Sequence, residues 1–246
     1  VKQECEGTSL DFTGKSGSFK VKVTAVNPGI YDSSETAEAT ITLNDYGKGT
    51  ESEPYKIYTA SDWNDFSDLV TNNEGKAGYQ DKYIEVVADI DFENTFVKPA
   101  GKSAQMSFKG TLDGNGYTLK NAKIGDGTAS HQAFFYLLNG TVKNLNFDNI
   151  TVTGGNANSA ASSAAVLTAG QSTVAFTIEN CHITNSSVIS GPEQGTAGGS
   201  YAGGFVGRCN NSSVVIRNCS ISNSTITASN ENAGGVVALL GAGTLD

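Results

Sequence analysis

Apolar and polar positions along this chain keep no single period for long. Over Ser18–Val26 they alternate, Phe19, Val21, Val23 and Ala25 against Lys20, Lys22 and Thr24. That is the period of a strand with one buried face. Glu35–Leu43 alternates again after the turn sequence Asn27–Ser34, and the two runs predict an antiparallel hairpin. From Ser61 to Gly75 the period lengthens. Trp63, Phe66, Leu69 and Val70 form one apolar stripe at helical spacing, with Ser61 as N-cap and Asp62 and Asp65 in the first turn. From Tyr83 onward short alternating runs return, each broken by Asn or Gly.

The breaks themselves repeat. Leu119–Ala122 (LKNA), Val142–Leu145 (VKNL), Ile178–Cys181 (IENC) and Ile216–Cys219 (IRNC) all read apolar, charged, Asn, then small or apolar. Another apolar residue follows two positions on: Ile124, Phe147, Ile183 and Ile221. The asparagines are spaced by 23, 36 and 38 residues, a period that signals a solenoid or array. Ile178 and Ile183 are an odd number of residues apart, so an unbroken strand would put them on opposite faces. A turn at Asn180 restores the phase, and Asn tolerates the left-handed conformation such a turn needs. Stacked turns would align Asn121, Asn144, Asn180 and Asn218 in an amide ladder with a step of about 4.8 Å. The residues before them, Lys120, Lys143, Glu179 and Arg217, would form an outward charged column, with Glu179 and Arg217 paired across one step.

These features predict a mainly β protein. A parallel β-helix occupies 48–246, with a short N-terminal capping helix over its open end. A small antiparallel segment over 1–47 precedes it, and Asp45–Pro54 reads as a linker. Each late unit reads as three short strands, a triangular rung. AGGVVALLGAGTLD at the C-terminal end begins a rung and stops, which leads us to expect further chain or another subunit against that end.

Over Pro54–Asp246 the sequence resembles the GLUG-repeat proteins, β-helical surface or secreted proteins of bacteria that include adhesins. The resemblance rests on Asp89-Ile90-Asp91, on the segment Phe108–Leu119 with Gly110, Thr111, Asp113, Gly114, Asn115, Gly116 and Thr118, and on a glycine box at Gly203–Gly207. Ala164–Gly170 and Ala233–Gly241 are degenerate copies of that box. The resemblance implies a right-handed helix and an extracellular or cell-surface location in a bacterium. The N-terminal hairpin weakly resembles the end of an immunoglobulin-like or fibronectin-type domain.

Composition narrows the partners. With 16 Lys and Arg against 25 Asp and Glu, the net charge is −9, which disfavours nucleic acid as a ligand. No apolar run reaches the length of a membrane helix, and no signal peptide opens the chain, so an exported form is mature or trimmed. The sequence calls for no cofactor. Its 4 Cys make no zinc motif. Cys181 and Cys219 hold equivalent positions in adjacent repeats, either stacked as thiols or joined, while Cys5 and Cys209 have no evident partner.

Candidate chemistry is sparse. Asp89 and Asp91 are two residues apart on one strand face and could share a cation or act as an acid–base pair, whereas the resemblance places them at a strand end near the cap, accepting backbone hydrogen bonds. Asp113 and Asn115 in DGNG make a weak calcium candidate or a tight turn. His182 lies beside Ser220 of the next repeat with no carboxylate placed to complete a triad, and His131 has no recognisable partner. Trp63 reads as core rather than as a sugar platform. No catalytic residues are assigned. Two long polar loops, Thr153–Ala164 and Ser190–Ser200, each follow the third strand of a rung and should leave one edge, as candidate binding segments. The sequence therefore reads as a non-catalytic, adhesin-like surface segment that offers loops to a glycan or protein. A polysaccharide-degrading enzyme and a plain spacer are the alternatives.

Overall fold

A computed structural model describes residues 46–72, 79–155, 162–170, 174–191, 199–210, 213–229 and 231–241, together with the backbone of 17–23 and 37–43. The chain divides into two compact units, Val1–Tyr46 and Gly47–Asp246. In the first, Gly17–Val23 pairs antiparallel with Ala37–Leu43, Gly17 opposite Leu43 and Val23 opposite Ala37, as the two alternating runs predict.

The second unit is a parallel β-helix. Its first sheet stacks Tyr55–Ile57, Tyr83–Val86, Thr111–Asp113, Thr141–Lys143, Thr177–Glu179 and Val215–Arg217 in sequence order. The second stacks Ile90–Asp91, Thr118–Lys120, Asn146–Asp148, His182–Thr184 and Ser220–Ser222. The third stacks Lys123–Ile124, Thr151–Gly154, Ser187–Ser190 and Thr225–Ala228. The late rungs are more than triangles. A fourth sheet adds His131–Gln132, Ser162–Ala165, Ser200–Gly203 and Asn232–Gly234, and Val206–Cys209 pairs with Val237–Leu240 in a fifth. The glycine box makes the extra corner. A Cβ on Gly203 would lie 1.9 Å from the Val206 carbonyl oxygen, so only glycine lets the backbone double back that tightly.

Like stacks on like along the axis. Ile84, Leu112, Val142, Ile178 and Ile216 are successive partners inside the first sheet. Ile90, Leu119, Phe147, Ile183 and Ile221 are the same in the second. All but Ile216 and Ile221, on the last described coil, are buried. The phase shift expected at asparagine is present. Asn144, Asn180 and Asn218 have φ of 54°, 51° and 53°, and the residue after each returns to the interior as Leu145, Cys181 or Cys219.

Asn121 requires a correction. It sits at the next corner, between the second and third sheets, in line with Asn149 rather than with Asn144. The reason is coil length: its spacing of 23 residues to Asn144 is less than one full coil, since Thr111 and Thr141 are the successive partners. The same motif thus serves two corners, and a second left-handed row runs through Asn121, Asn149, Asn185 and Asn223 with φ between 48° and 57°. Lys120 moves with Asn121 and faces out from the second sheet, not from the first.

The helix, Ala60–Thr71, is capped by Thr59 rather than Ser61. The Thr59 hydroxyl accepts from the Asp62 amide, and the Asp62 carboxylate accepts from the Thr59 amide at 2.9 Å, a reciprocal capping box. Gly75 lies outside the described residues, and the helix ends at Asn72. Leu69 faces solvent at 44% exposure, and its place on the buried stripe is taken by Ser67, whose hydroxyl donates to the Lys98 carbonyl at 2.7 Å. Trp63 is fully buried. Its ring meets Phe66, Phe92, Phe134 and Phe135 edge to face at 5.2–6.4 Å, a geometry that aromatic quadrupoles favour. Nor is the segment before the helix a loose linker. The Lys48 amide donates to the Glu53 carbonyl, and the Tyr83 amide donates to Gly49, so this turn is tied to the first sheet.

Two substitutions test this construction. Trp63→Ala should cost about 3–5 kcal/mol in urea unfolding, because it empties the centre of the aromatic cluster. Asn180→Ala should cost about 1–3 kcal/mol through left-handed strain and the lost ladder bond, with Asn180→Gly recovering the strain component.

Candidate functional site

The outward face of the second sheet mixes charged and polar side chains. Two columns run up it. One reads Thr118, Asn146, His182 and Ser220, with Asp89 below Thr118. The other reads Asp91, Lys120, Asp148, Thr184 and Ser222. Within each column the step is about 4.8 Å. Between them lies an open groove of about 370 Å³, lined by Asp89, Thr118, Lys120, Asn146, Asp148, His182 and Thr184.

Most of these groups are already tied to a neighbouring coil. Asp89 accepts the Thr118 amide at 2.9 Å. Asp91 accepts the Glu93 amide and the Asn121 side-chain amide, and Lys120 lies 3.7 Å from its other oxygen. The hydrogen bonds from Asn121 and then Glu93 hold the Asp91 carboxyl below its usual range. Asp148 Oδ1 accepts both the Thr184 hydroxyl and the Asn185 amide at 2.7 Å. His182 Nδ1 and Ser220 Oγ are 2.7 Å apart. The Asp89–Asp91 pair is thus placed as an acceptor of hydrogen bonds, and His182 makes the Ser220 contact that the repeat spacing suggested.

The first sheet carries the charged column. Glu85, Asp113, Lys143, Glu179 and Arg217 are successive partners on its outer face. Lys143 pairs with Asp113 at 3.0 Å and Arg217 with Glu179 at 2.8 Å. Asp113 and Asn115 do not converge as a cation site. Asp113 Oδ1 accepts the Asn115 amide and the Asn144 side chain, and its other oxygen faces Lys143. The Asn115 side chain instead donates to the Val86 carbonyl. Among the described residues no group of three His, Cys, Asp or Glu is placed to hold a metal ion. Asn180 Nδ2 donates to Asn144 Oδ1 at 3.0 Å, and at the other corner Asn149 donates to Asn121 at 2.7 Å.

His131 joins a separate cluster. Its ring packs edge-on against Tyr136 at 5.5 Å, and Arg208 lies 4.7 Å over the Tyr201 ring. Burial first, then the Arg208 charge, hold the His131 imidazole below its usual value. The central parts of the two candidate loops, 156–161 and 192–198, lie outside the described residues. Their flanks do leave one corner, since Gly154 partners Ser190 and Ser162 partners Ser200.

Sequence reasoning missed the groove. Asp148 and His182 were not associated with Asp89 and Lys120, because only the coil-to-coil register reveals that Lys120, Asp148 and Thr184 share a column. The available signal was the alternation in Asn146-Phe147-Asp148 and His182-Ile183-Thr184 once Phe147 and Ile183 are placed inside.

An alignment 121 positions long, covering 45% of this chain, is 30% identical to halomucin of Haloquadratum walsbyi. The aligned stretch spans 1% of the length of that relative. No family model and no solved structure matches the chain. No helix among the described residues is long and apolar enough to cross a membrane.

Asp113 provides a pH test. Its partial burial pushes the carboxyl up, but the hydrogen bonds from Asn144 and Asn115 and the Lys143 charge outweigh this and lower it below the usual 3.8. A lowered folded value means the stabilisation is complete above the usual value and is lost as pH falls through the folded one. The stability difference between wild type and Asp113→Asn should therefore be constant at neutral pH and shrink below about pH 4, measured by urea midpoints across that range.

Proposed function

We propose that this chain is a segment of an extracellular surface protein, an adhesin-like solenoid that holds a glycan or protein ligand without cleaving it. The observation that carries this reading is the second-sheet groove: a straight, solvent-open row of donors and acceptors at a fixed step. A ligand with repeated hydroxyl or amide groups suits such a row, since each coil presents a further polar contact at no extra ordering cost. Carboxylates there already accept hydrogen bonds from adjacent coils. This weighs against a polysaccharide-degrading enzyme, which needs an acid and a base or nucleophile directed at one bond.

Three further observations support the location. The solenoid fold suits a display role. The relative's name, halomucin, marks it as mucin-like. The Phe108–Leu119 segment and the Gly203–Gly207 box resemble GLUG-repeat surface proteins. The described flanks of the two candidate loops, Gly154 and Ser190, are partners on the third sheet.

Affinity electrophoresis through gels carrying neutral and acidic polysaccharides tests the reading. At least one glycan should retard the protein and release no new reducing ends, and Lys120→Ala with Asp148→Ala should weaken retention about tenfold. New reducing ends would instead favour the enzyme. Unaltered mobility across glycans and candidate surface proteins would leave the spacer reading.

A further inference from the structure

The inner corner that follows the first asparagine row carries Leu145, Cys181 and Cys219 on successive coils. Register fixes the overlap of the two cysteines. Glu179 partners Arg217 just before them and His182 partners Ser220 just after, and the Ser220 amide donates to the Cys181 carbonyl at 3.1 Å. Parallel neighbours in such register sit about 4.8 Å apart, inside the Cα window of roughly 4.4–6.8 Å that a disulfide spans. Both residues are thiols in this structure.

Their sulfurs are weakly held. Cys219 Sγ lies 3.2 Å from the Arg217 carbonyl oxygen and 3.8 Å from that of Ile178, on the coil of Cys181. Cys181 Sγ repeats the arrangement one coil down, at 3.3 Å from Glu179 O and 3.9 Å from Val142 O. Thiols are poor donors, so rotating Cys181 toward Cys219 breaks only weak contacts. Cys181 is fully enclosed, whereas Cys219 is partly open to solvent.

We propose that Cys181 and Cys219 form an intrachain disulfide that staples the last described coil to the one beneath it. This rests on geometry and is independent of the ligand reading, although an extracellular location supplies the oxidising surroundings in which such bonds persist.

The two thiols have distinct roles in the reaction. Cys219 is the partly open thiol and its neighbour Cys181 lowers it, while the same neighbour and burial raise Cys181. Cys219, as thiolate, attacks one sulfur of a low-molecular-weight disulfide such as oxidised glutathione and releases one small thiolate. Cys181 then gives up its proton and attacks the Cys219 sulfur, expelling the second. The two electrons reduce the small disulfide, and the two protons from the protein end on the two released small thiols.

The sequence makes the test clean. Cleavage after Lys and Arg puts Cys181 in Asn144–Arg208, Cys209 in Cys209–Arg217 and Cys219 in Asn218–Asp246, with Cys5 in Gln3–Lys15. The intact chain is incubated with oxidised glutathione at mildly alkaline pH, alkylated, digested without reductant and weighed. The expected product is Asn144–Arg208 joined to Asn218–Asp246, lighter by two hydrogens than the separate reduced peptides. It should disappear on reduction and in Cys219→Ser. Separate alkylated peptides, glutathione left on Cys219, or linkage to Cys5 or Cys209 would overturn the assignment. Hydrogen exchange then reads the staple. Amides of Ser220–Ser222 and Thr225–Ala228 should exchange more slowly in the oxidised protein, and unchanged exchange would refute the stapling role.

Discussion

The in-register stacking of one coil on the next is the constraint from which everything else follows. Parallel hydrogen bonds along the axis satisfy the backbone only if each coil repeats the path of the one below. That path includes two sharp corners, and at each an asparagine adopts φ near 50°. The side chain of the same asparagine then bonds to the coil beneath, as Asn180 does to Asn144 and Asn149 to Asn121. One residue type thus provides both the bend and the tie. This is why the apolar frame around it can vary from Leu145 to Cys181 while the asparagine stays.

The interior changes along the axis. Near the helix it is aromatic, with Trp63, Phe66, Phe92, Phe108, Phe134 and Phe135 in mutual contact. Farther up, the first- and third-sheet stacks are aliphatic, and the fourth sheet is lined by Ala164 and Ala202. At the second corner small polar residues replace apolar ones. Ser186 takes the place of Ile150, and its hydroxyl accepts the Ile150 amide while donating to the Thr184 carbonyl. A buried hydroxyl is tolerated there because both of its bonds are made. The large rings close the helix-covered end and the small residues permit the tight fold of the fourth sheet against the fifth.

Because inner positions are committed to stacking, only outward positions are free to vary with function. The first sheet uses them for ion pairs between coils, the second for a mixed polar groove. Exposed ion pairs such as Arg217 with Glu179 add little to stability. The groove differs in that its carboxylates, amides and imidazole lie around an open depression, with the two loop-bearing corners on the neighbouring sheet.

The architecture was legible because it depends on local signals: an odd apolar spacing that needs a bend, an asparagine able to make it, and recurrence of both. The hairpin strands and the helix were legible for the same reason. Cap choice at Thr59, the exposure of Leu69 and the assignment of Asn121 were not, since each is settled by what packs alongside. Sequence alone determined that the chain coils, that the apolar residues flanking Asn144, Asn180 and Asn218 face inward, and that Cys181 lies over Cys219. Only the tertiary structure decided that the motif serves two corners, that rungs gain fourth and fifth sides, and that Asp89, Lys120, Asp148 and His182 share one groove. Coil lengths differ, so residues far apart in the chain become neighbours by a register that hydrogen bonding between coils sets and that no local pattern encodes.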